Sequence, residues 1–525
     1  MIFTSDLTWI ILLPILGALI ALAVPERPAR WVALVFAAAT FALSIFIFFN
    51  ILAGGLGFGD LNHLPDQIHT SWIDFDVGAI HLKIDYFLGV DGLSLPMVVL
   101  NALLSMLAVI GGWEKKRVKE YMALLLLLEA GVMGVFMSLD LLLFFLFWEV
   151  ELAPMFLLIG IWGAEVIKHG MPGRIYSAWK FLLYTFFGSV FMLVGILLLY
   201  FNEGGTTASM QYFSTHFTTG NVQIPLIGVT MSLQLLTFLL IFVAFAVKIP
   251  MFPFHTWLPD AHTDAPTEVS VILAGILLKM GAYGLIRICF TLFPQGVHEF
   301  SGWLAVIAAI NIIYGAGICL VQTDMKKLIA YSSVSHMGVV LLGVAAAAGS
   351  GDLAFRMAAL TGATVQMFSH GIITGLLFFC VGVIYDHAHT REIAIFGGVA
   401  KKMPMLATLF TFAALASLGL PGLAGFVAEY MAFTGSFQAW PTVTIISVFT
   451  MILTASYLLW MIKRVFYGPF NPKWNWLPDA NWREMIPLFA LAGVIVFVGV
   501  YPTPLISVIT PSLTQLMHAA VAVIH

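Results

Sequence analysis

Lys248 and Lys279 each sit inside a long apolar stretch of this 525-residue chain, and so do Glu149 and Glu429. Only 10% of the residues are charged, yet four ionisable groups occupy the places where a charge is hardest to hold. A charge at a bilayer centre costs on the order of 3 kcal/mol or more, and such groups commonly serve proton or ion movement. Burial disfavours the charge of a lysine, and a nearby carboxylate restores it, so such a pair acts as a switch set by a neighbour's position. Lys279, in APTEVSVILAGILLKMGAYGLIR, is fourteen residues from Ala265 and eleven from Phe290, too far for its side chain to reach either surface. Glu149 lies nine residues beyond Asp140, roughly 14 Å at 1.5 Å per residue, which predicts a mid-membrane carboxylate able to titrate. Glu151 points to a different face. A transport role and a neutral, hydrogen-bonded acid are equally open for it.

Lys248 precedes Pro250 and Pro253. Proline removes a helical hydrogen bond, and a broken helix leaves polar backbone and room for water beside the lysine. The competing reading is a lysine that snorkels to the interface, since PFHTWLPDAH follows. Glu429 follows the break LGLPGLAG and is placed to end a proton route, with an interfacial glutamate as the alternative. His336, in YSSVSHMG, and His370, in QMFSHGI, are mid-span, where histidine relays protons near neutral pH. Satisfied core histidines would look the same. Metal binding needs more ligands than these supply. Glu129 is a further mid-span carboxylate, for which a bundle hydrogen bond and a transport role are equally open. His255, Asp260, His262, Asp264 and Glu268 form either a hydrated entrance or a solvated loop, and the loop is the simpler expectation.

The elements that carry these groups follow from composition. Hydrophobic residues make up 61% of the chain and the mean hydropathy is +1.00. A spanning helix needs about 20 apolar residues. Only helices and closed barrels satisfy their backbone in lipid, and continuous rather than alternating apolar runs choose helices. Fourteen segments result: 7–24, 31–53, 89–111, 121–138, 140–163, 177–200, 226–257, 265–290, 301–321, 327–348, 357–385, 403–437, 441–466 and 485–506. The fold class is all-α and polytopic, in one membrane domain over 1–525. The N-terminus lacks the basic region of a signal peptide and reads as a retained first helix. Cys289, Cys319 and Cys380 lie far apart, which argues against iron–sulfur clusters, haem attachment and a disulfide framework.

Eighteen of the 23 lysines and arginines fall in one set of connections, including Lys115, Lys116, Arg117, Lys326, Lys327, Lys401 and Lys402. Lys83, Arg287 and Arg356 fall in the opposite set. The positive-inside rule then predicts a cell inner (cytoplasmic) membrane protein with both termini on the outer side. The 54–88 loop, with Asp60, Asp66, Asp74, Asp76 and Asp85, belongs outside.

An internal repeat is visible but sparse. Pro250 and Pro421 break spans 171 residues and five spans apart, and Asp140 and Asp324, 184 apart, each head a span. Five is odd, so the second unit would be inverted, as in many transporters with broken helices.

Four strings taken together, FLFWEVELAPM, FAVKIPMFPFHTWLPDAHTDAPTEVSVILAGILLKMGAYGLIR, TDMKKLIAYSSVSHMG and LGLPGLAGFVAEY, resemble the antiporter-like subunits of proton-pumping NADH–quinone oxidoreductase (respiratory complex I). The resemblance covers nearly the whole chain. It implies two inverted five-helix repeats, 121–290 (spans 4–8) and 301–466 (spans 9–13). It implies that Glu149 and Lys248 form the buried ion pair of the first half, that Lys279 is central, that His336 and His370 extend the polar axis, and that Glu429 is the terminal carboxylate. The related L and N subunits, and their counterpart in the Mrp antiporter, carry lysine at that last place. The L subunit also has a long lateral helix, whereas here only a short tail follows the fourteenth span.

Further implications concern chemistry and partners. The chain would be a non-redox, translocase subunit that moves protons through buried Glu, Lys and His residues, with no cofactor or metal of its own. NADH, FMN, iron–sulfur clusters and quinone are expected in partner subunits. Neighbouring antiporter-like subunits and lipids are the expected contacts, and no nucleic acid. A component of a multisubunit cation/proton antiporter and a structural membrane subunit are the alternatives.

Overall fold

Apolar runs in a chain like this coil because each backbone N–H and C=O must find its partner within the same segment. The computed structural model describes residues 5–54, 64, 66–77, 80–202, 204–216, 223–226 and 229–524. Asp60 of the acidic loop lies outside them. The first helices are α1 (Asp6–Ala23), α2 (Glu26–Gly54), α3 (Leu95–Gly111) and α4 (Val118–Met137). Between α2 and α3, β1 (Asp66–Val77) and β2 (Ile80–Val90) pair antiparallel, so the acidic segment is a hairpin and not an open loop. The chain continues with α5 (Leu141–Val150), α6 (Leu152–Trp162), the short strands β3 (Ile167–Lys168) and β4 (Met171–Pro172), α7 (Gly173–Asn202), α8 (Met210–His216), β5 (Gln223–Leu226) and β6 (Val229–Ser232). Next come α9 (Leu233–Lys248), α10 (Trp257–Asp264) and a continuous helix, Thr267–Phe290, that contains α11 (Thr267–Ile272) and α12 (Leu278–Gly284) joined by π turns. Last are α13 (Pro294–Cys319), α14 (Met325–Ala348), α15 (Leu353–Ala388), α16 (Pro404–Ser417), α17 (Ala424–Ala439), α18 (Pro441–Val465), α19 (Trp482–Val500) and α20 (Thr503–Ile524).

Thirteen helical segments among the described residues are long and apolar enough to cross a membrane. Each of the fourteen expected segments coincides with a helix or a broken pair of helices, and the expected polytopic all-α class is the fold observed. The tail is a correction. It forms α20, whose Ser512 hydroxyl accepts the Gly92 N–H at 2.8 Å. The three cysteines are buried and free.

Three spans are interrupted. The fifth stops between α5 and α6 at Glu151. The seventh stops at Lys248, and Asn311 of α13 satisfies the broken backbone, accepting from Phe252 N at 2.7 Å and donating to Pro250 O at 3.3 Å. The twelfth stops between α16 and α17, where Gly419 (φ 73°) and Gly422 (φ 89°) take a left-handed turn that a side chain would strain. Asp140 and Asp324 both do what their place at a span's head predicts. Asp140 accepts from Leu142 and Leu143 N at 3.0 and 2.9 Å, and Asp324 from Lys326 and Lys327 N at 2.7 and 3.1 Å.

Burial sorts the helices. The most apolar windows of Thr267–Phe290 and α15 are wholly buried, whereas α7, α13 and α18 show Leu183, Phe187, Trp303, Phe449 and Ile452 on their outer faces. The polar side chains therefore sit on the innermost helices, sheathed by apolar ones.

Candidate functional site

The first cluster forms where two broken spans meet. Lys248 occupies the last turn of α9, and its Nζ donates to Glu151 Oε1 in a fully buried ion pair. Trp148 and Phe181 wall the ammonium, their ring centroids 5.2 and 5.6 Å from Nζ. The carboxylate on Lys248 is thus Glu151, and the Glu149–Lys248 pairing implied by the resemblance is not the bonded one. The reason is local geometry. Two residues on a helix are about 200° apart, so Glu149 and Glu151 cannot share a face. The chain then breaks at Glu151 and turns that side chain inward. Glu149 is half-buried instead, set against Ser189 of α7 and within electrostatic reach of Lys248.

Gly281 brings the next lysine's helix onto this cluster. A Cβ there would stand 3.0 Å from Lys248 Cβ and 2.9 Å from Ile249 Cγ1, so only glycine permits this approach. Lys279, two residues earlier, is fully buried and donates to the carbonyl of Ala274, which lies in the first π turn. π turns of this kind recur at functional sites because they free a carbonyl.

From Lys279 a second cluster runs on. Its Nζ is 2.7 Å from His370 Nδ1. The His370 and His336 rings stand 5.6 Å apart. His336 Nδ1 is 3.1 Å from Glu429 Oε1, and its Nε2 is 3.1 Å from Ser417 Oγ. A charged lysine donates, so His370 accepts through Nδ1 and carries its proton on Nε2. That Nε2, Gln366 Oε1 and Ser369 Oγ have no protein partner, and His336, Gln366, His370 and Glu429 line one small cavity. Water is the group that satisfies such atoms. Four of the six sequence-predicted residues, Lys279, His370, His336 and Glu429, are therefore brought into one chain. Lys248 begins the other cluster, and Glu149 stands at its edge.

Lys115, Lys326, Asp386 and Arg391 were not legible as site residues, whereas Glu129, His262 and Glu268 were open alternatives. A cavity of about 650 Å³ is lined by Lys115, Thr267, Lys326, Asp386 and Arg391 among others. Behind it Glu268 bonds Lys115 at 3.2 Å and the Tyr121 hydroxyl at 2.8 Å, and Lys326 donates to Ala265 O at 2.6 Å. Between this cavity and Lys279 lies His262, stacked on Phe378, its two ring nitrogens without a protein partner. Burial, with Lys326 and Lys279 nearby, holds its imidazole well below the usual range. The expected solvated loop is a correction here, since His255, His262, Asp264 and Glu268 are all buried. Asp264 bonds Lys168 and Ser177 at 2.7 and 2.6 Å. Glu129 is fully buried with both carboxyl oxygens unpartnered. The signal for these groups was an N-cap aspartate that draws Lys326 into a first helical turn. The packing of distant helices carried the rest.

Residues 138–454 match the family described as NADH:quinone oxidoreductase/Mrp antiporter, TM. NADH-quinone oxidoreductase subunit M of Rhodobacter capsulatus is 42% identical over 497 residues, covering 94% of this chain and 91% of that protein. NAD(P)H-quinone oxidoreductase chain 4 1 of Synechococcus elongatus (strain ATCC 33912 / PCC 7942 / FACHB-805) is 41% identical over 510 residues, covering 94% and 88%. Among solved structures, a chain of respiratory complex I from Thermus thermophilus with bound NADH superposes with a TM-score of 0.81 at 27% identity, covering 98% of this chain and 99% of that one. A chain of the Mrp complex from Dietzia sp. DQ12-45-1b shares the fold, with a TM-score of 0.79 at 19% identity and full coverage of both chains. The broken spans, the buried lysines and these matches agree that the chain belongs to the NADH:quinone oxidoreductase/Mrp antiporter family of multi-pass membrane subunits.

Proposed function

We infer that this chain moves protons across the membrane as an M-type, non-redox subunit of an NADH–quinone oxidoreductase. The observation that carries this reading is the chain Lys279–His370–His336–Glu429, buried in a bundle sheathed by apolar side chains. Its links are a lysine, two imidazoles and a carboxylate, each able to hold or release one proton.

The driving step is electrostatic. Opposite charges about 4 Å apart attract by roughly 4 kcal/mol at an effective dielectric near 20. About 1.4 kcal/mol corresponds to one pK unit. Moving the counter-charge of Lys248 therefore changes how firmly the lysine holds its proton, and Lys279, pressed close through Gly281, responds. His370 and His336 pass the proton on, and Glu429 ends the route. Partner subunits oxidise NADH and reduce quinone with FMN and iron–sulfur clusters, and neighbouring antiporter-like subunits pass the signal laterally. The chain sits in the cell inner membrane with both termini outside, and segments 121–290 and 301–466 act as inverted halves.

The test is NADH-driven acidification of membrane vesicles that contain the assembled complex with Lys248→Ala, Lys279→Ala or Glu429→Ala. Each is expected to slow pumping by about a hundredfold. Full pumping by assembled variants overturns the reading. Transport that depends on sodium instead would favour a cation/proton antiporter.

A further inference from the structure

Six cations share one cavity in a chain whose formal net charge is -4. Lys115, Lys116, Arg117, Arg174, Lys326 and Arg391 line the cavity of about 650 Å³, against two lining carboxylates, Glu165 and Asp386. The cavity lies at one surface of the bundle, where α4, α7, α14 and the helix Thr267–Phe290 begin and α6 and α15 end. Four of the six cations have a carboxylate. Arg117 pairs with Glu120 at 3.3 Å, Lys115 with Glu268 at 3.2 Å, Arg174 with Glu165 at 2.8 Å and Arg391 with Asp324 at 3.3 Å. Lys116 and Lys326 have no ion pair among the described residues. Lys326 is only 3% exposed, so water does little for its charge. An ammonium carries three N–H donors. Among the described residues, the carbonyl of Ala265, at 2.6 Å, is the one acceptor that Lys326 Nζ meets. Arg174 Nε, also buried, has no protein partner. Charge and donors are therefore left over around a space much larger than one water needs, and buried charge is costly without a counter-charge.

We propose that this cavity binds a phosphate group, held by Lys326, Arg174 and Lys116. These three come from separate segments: Lys116 precedes α4, Arg174 opens α7 and Lys326 opens α14. A tetrahedral phosphate presents oxygens in several directions at once, whereas a carboxylate presents two in one plane, so phosphate suits donors that converge from three sides. Guanidinium and ammonium groups are the side chains that recognise it. Two sources supply that chemistry, the headgroup of an anionic lipid and soluble phosphate. Val166, Ile167, Met171 and Ile175, which flank Glu165 and Arg174 in sequence, are exposed and apolar, a surface on which acyl chains could lie. The proposal does not depend on the proton-moving reading above.

The experiment uses the purified, assembled oxidoreductase in two arms. In neutral detergent, binding of radiolabelled inorganic phosphate is measured by equilibrium dialysis. In nanodiscs of phosphatidylcholine and phosphatidylglycerol, the cavity is inspected in electron-microscopy maps. Saturable phosphate binding in the first arm identifies the soluble ion, and headgroup density between Lys326 and Arg174 in the second identifies a lipid. Either result supports the site, provided that the variants remove it. Lys326→Gln and Arg174→Gln each lose a charge-assisted hydrogen bond, and each is expected to weaken phosphate binding by about tenfold or to abolish the headgroup density. If Lys326→Gln fails to assemble, Arg174→Gln and Lys116→Ala, which lie nearer the surface, carry the test. An empty cavity in the maps together with no saturable phosphate binding overturns the proposal, and so does binding that none of these variants weakens.

Discussion

The two polar clusters solve the same problem in opposite ways. Around Lys248 one cation meets two carboxylates, one sealed and one near the surface. From Lys279 to Glu429 the groups stand in file, two of the three links being direct contacts and the third a gap between imidazole rings 5.6 Å apart. The first arrangement suits a trigger and the second a conductor. Gly281 is the place where they touch, since the helix of Lys279 packs there directly on Lys248.

The comparison breaks most sharply at the buried pair. Lys248→Ala leaves the Glu151 charge unpaired, and loss of one partner in a buried ion pair costs about 3–5 kcal/mol. The melting temperature of the purified complex should fall, and Lys248→Gln combined with Glu151→Gln should recover much of it. A double variant as unstable as Lys248→Ala would mean that the two groups do not face each other. Glu429 has no such sealed ammonium against it, so Glu429→Gln is expected to lose pumping with little change in melting.

A smaller change sharpens the link between the clusters. Gly281→Val pushes a branched side chain into Lys248 and Ile249, and overpacking of this kind costs about 1–3 kcal/mol. NADH oxidation should persist while protons per NADH fall, because the trigger and the conductor have been wedged apart. Unchanged stoichiometry would show that they do not communicate through this contact.

How much is readable without coordinates follows from these residues. Lys248, Lys279 and Glu429 stand out because a charge in an apolar run is conspicuous whatever surrounds it. Asp140 and Asp324 are readable as span heads because capping is local. Depth along a helix favours Glu149 over Glu151, and only the break at Glu151, invisible in the residue pattern, reverses that order. The β1–β2 hairpin is hidden in a segment conspicuous for its acidic charge, although its residues partly alternate. α20 resembles a tail because threonine, serine and proline interrupt its apolar pattern.

Composition and spacing alone determine the helical class, the two proline-broken spans and most of the ionisable groups. Those features depend on the free energy of each segment in lipid, which neighbours in sequence set. Which carboxylate takes Lys248, how His370 joins Lys279 to His336, and why His262 and Glu268 are buried were decided by packing. A hydrogen bond needs two groups within about 3 Å, and only the closed bundle brings side chains some ninety residues apart to that distance.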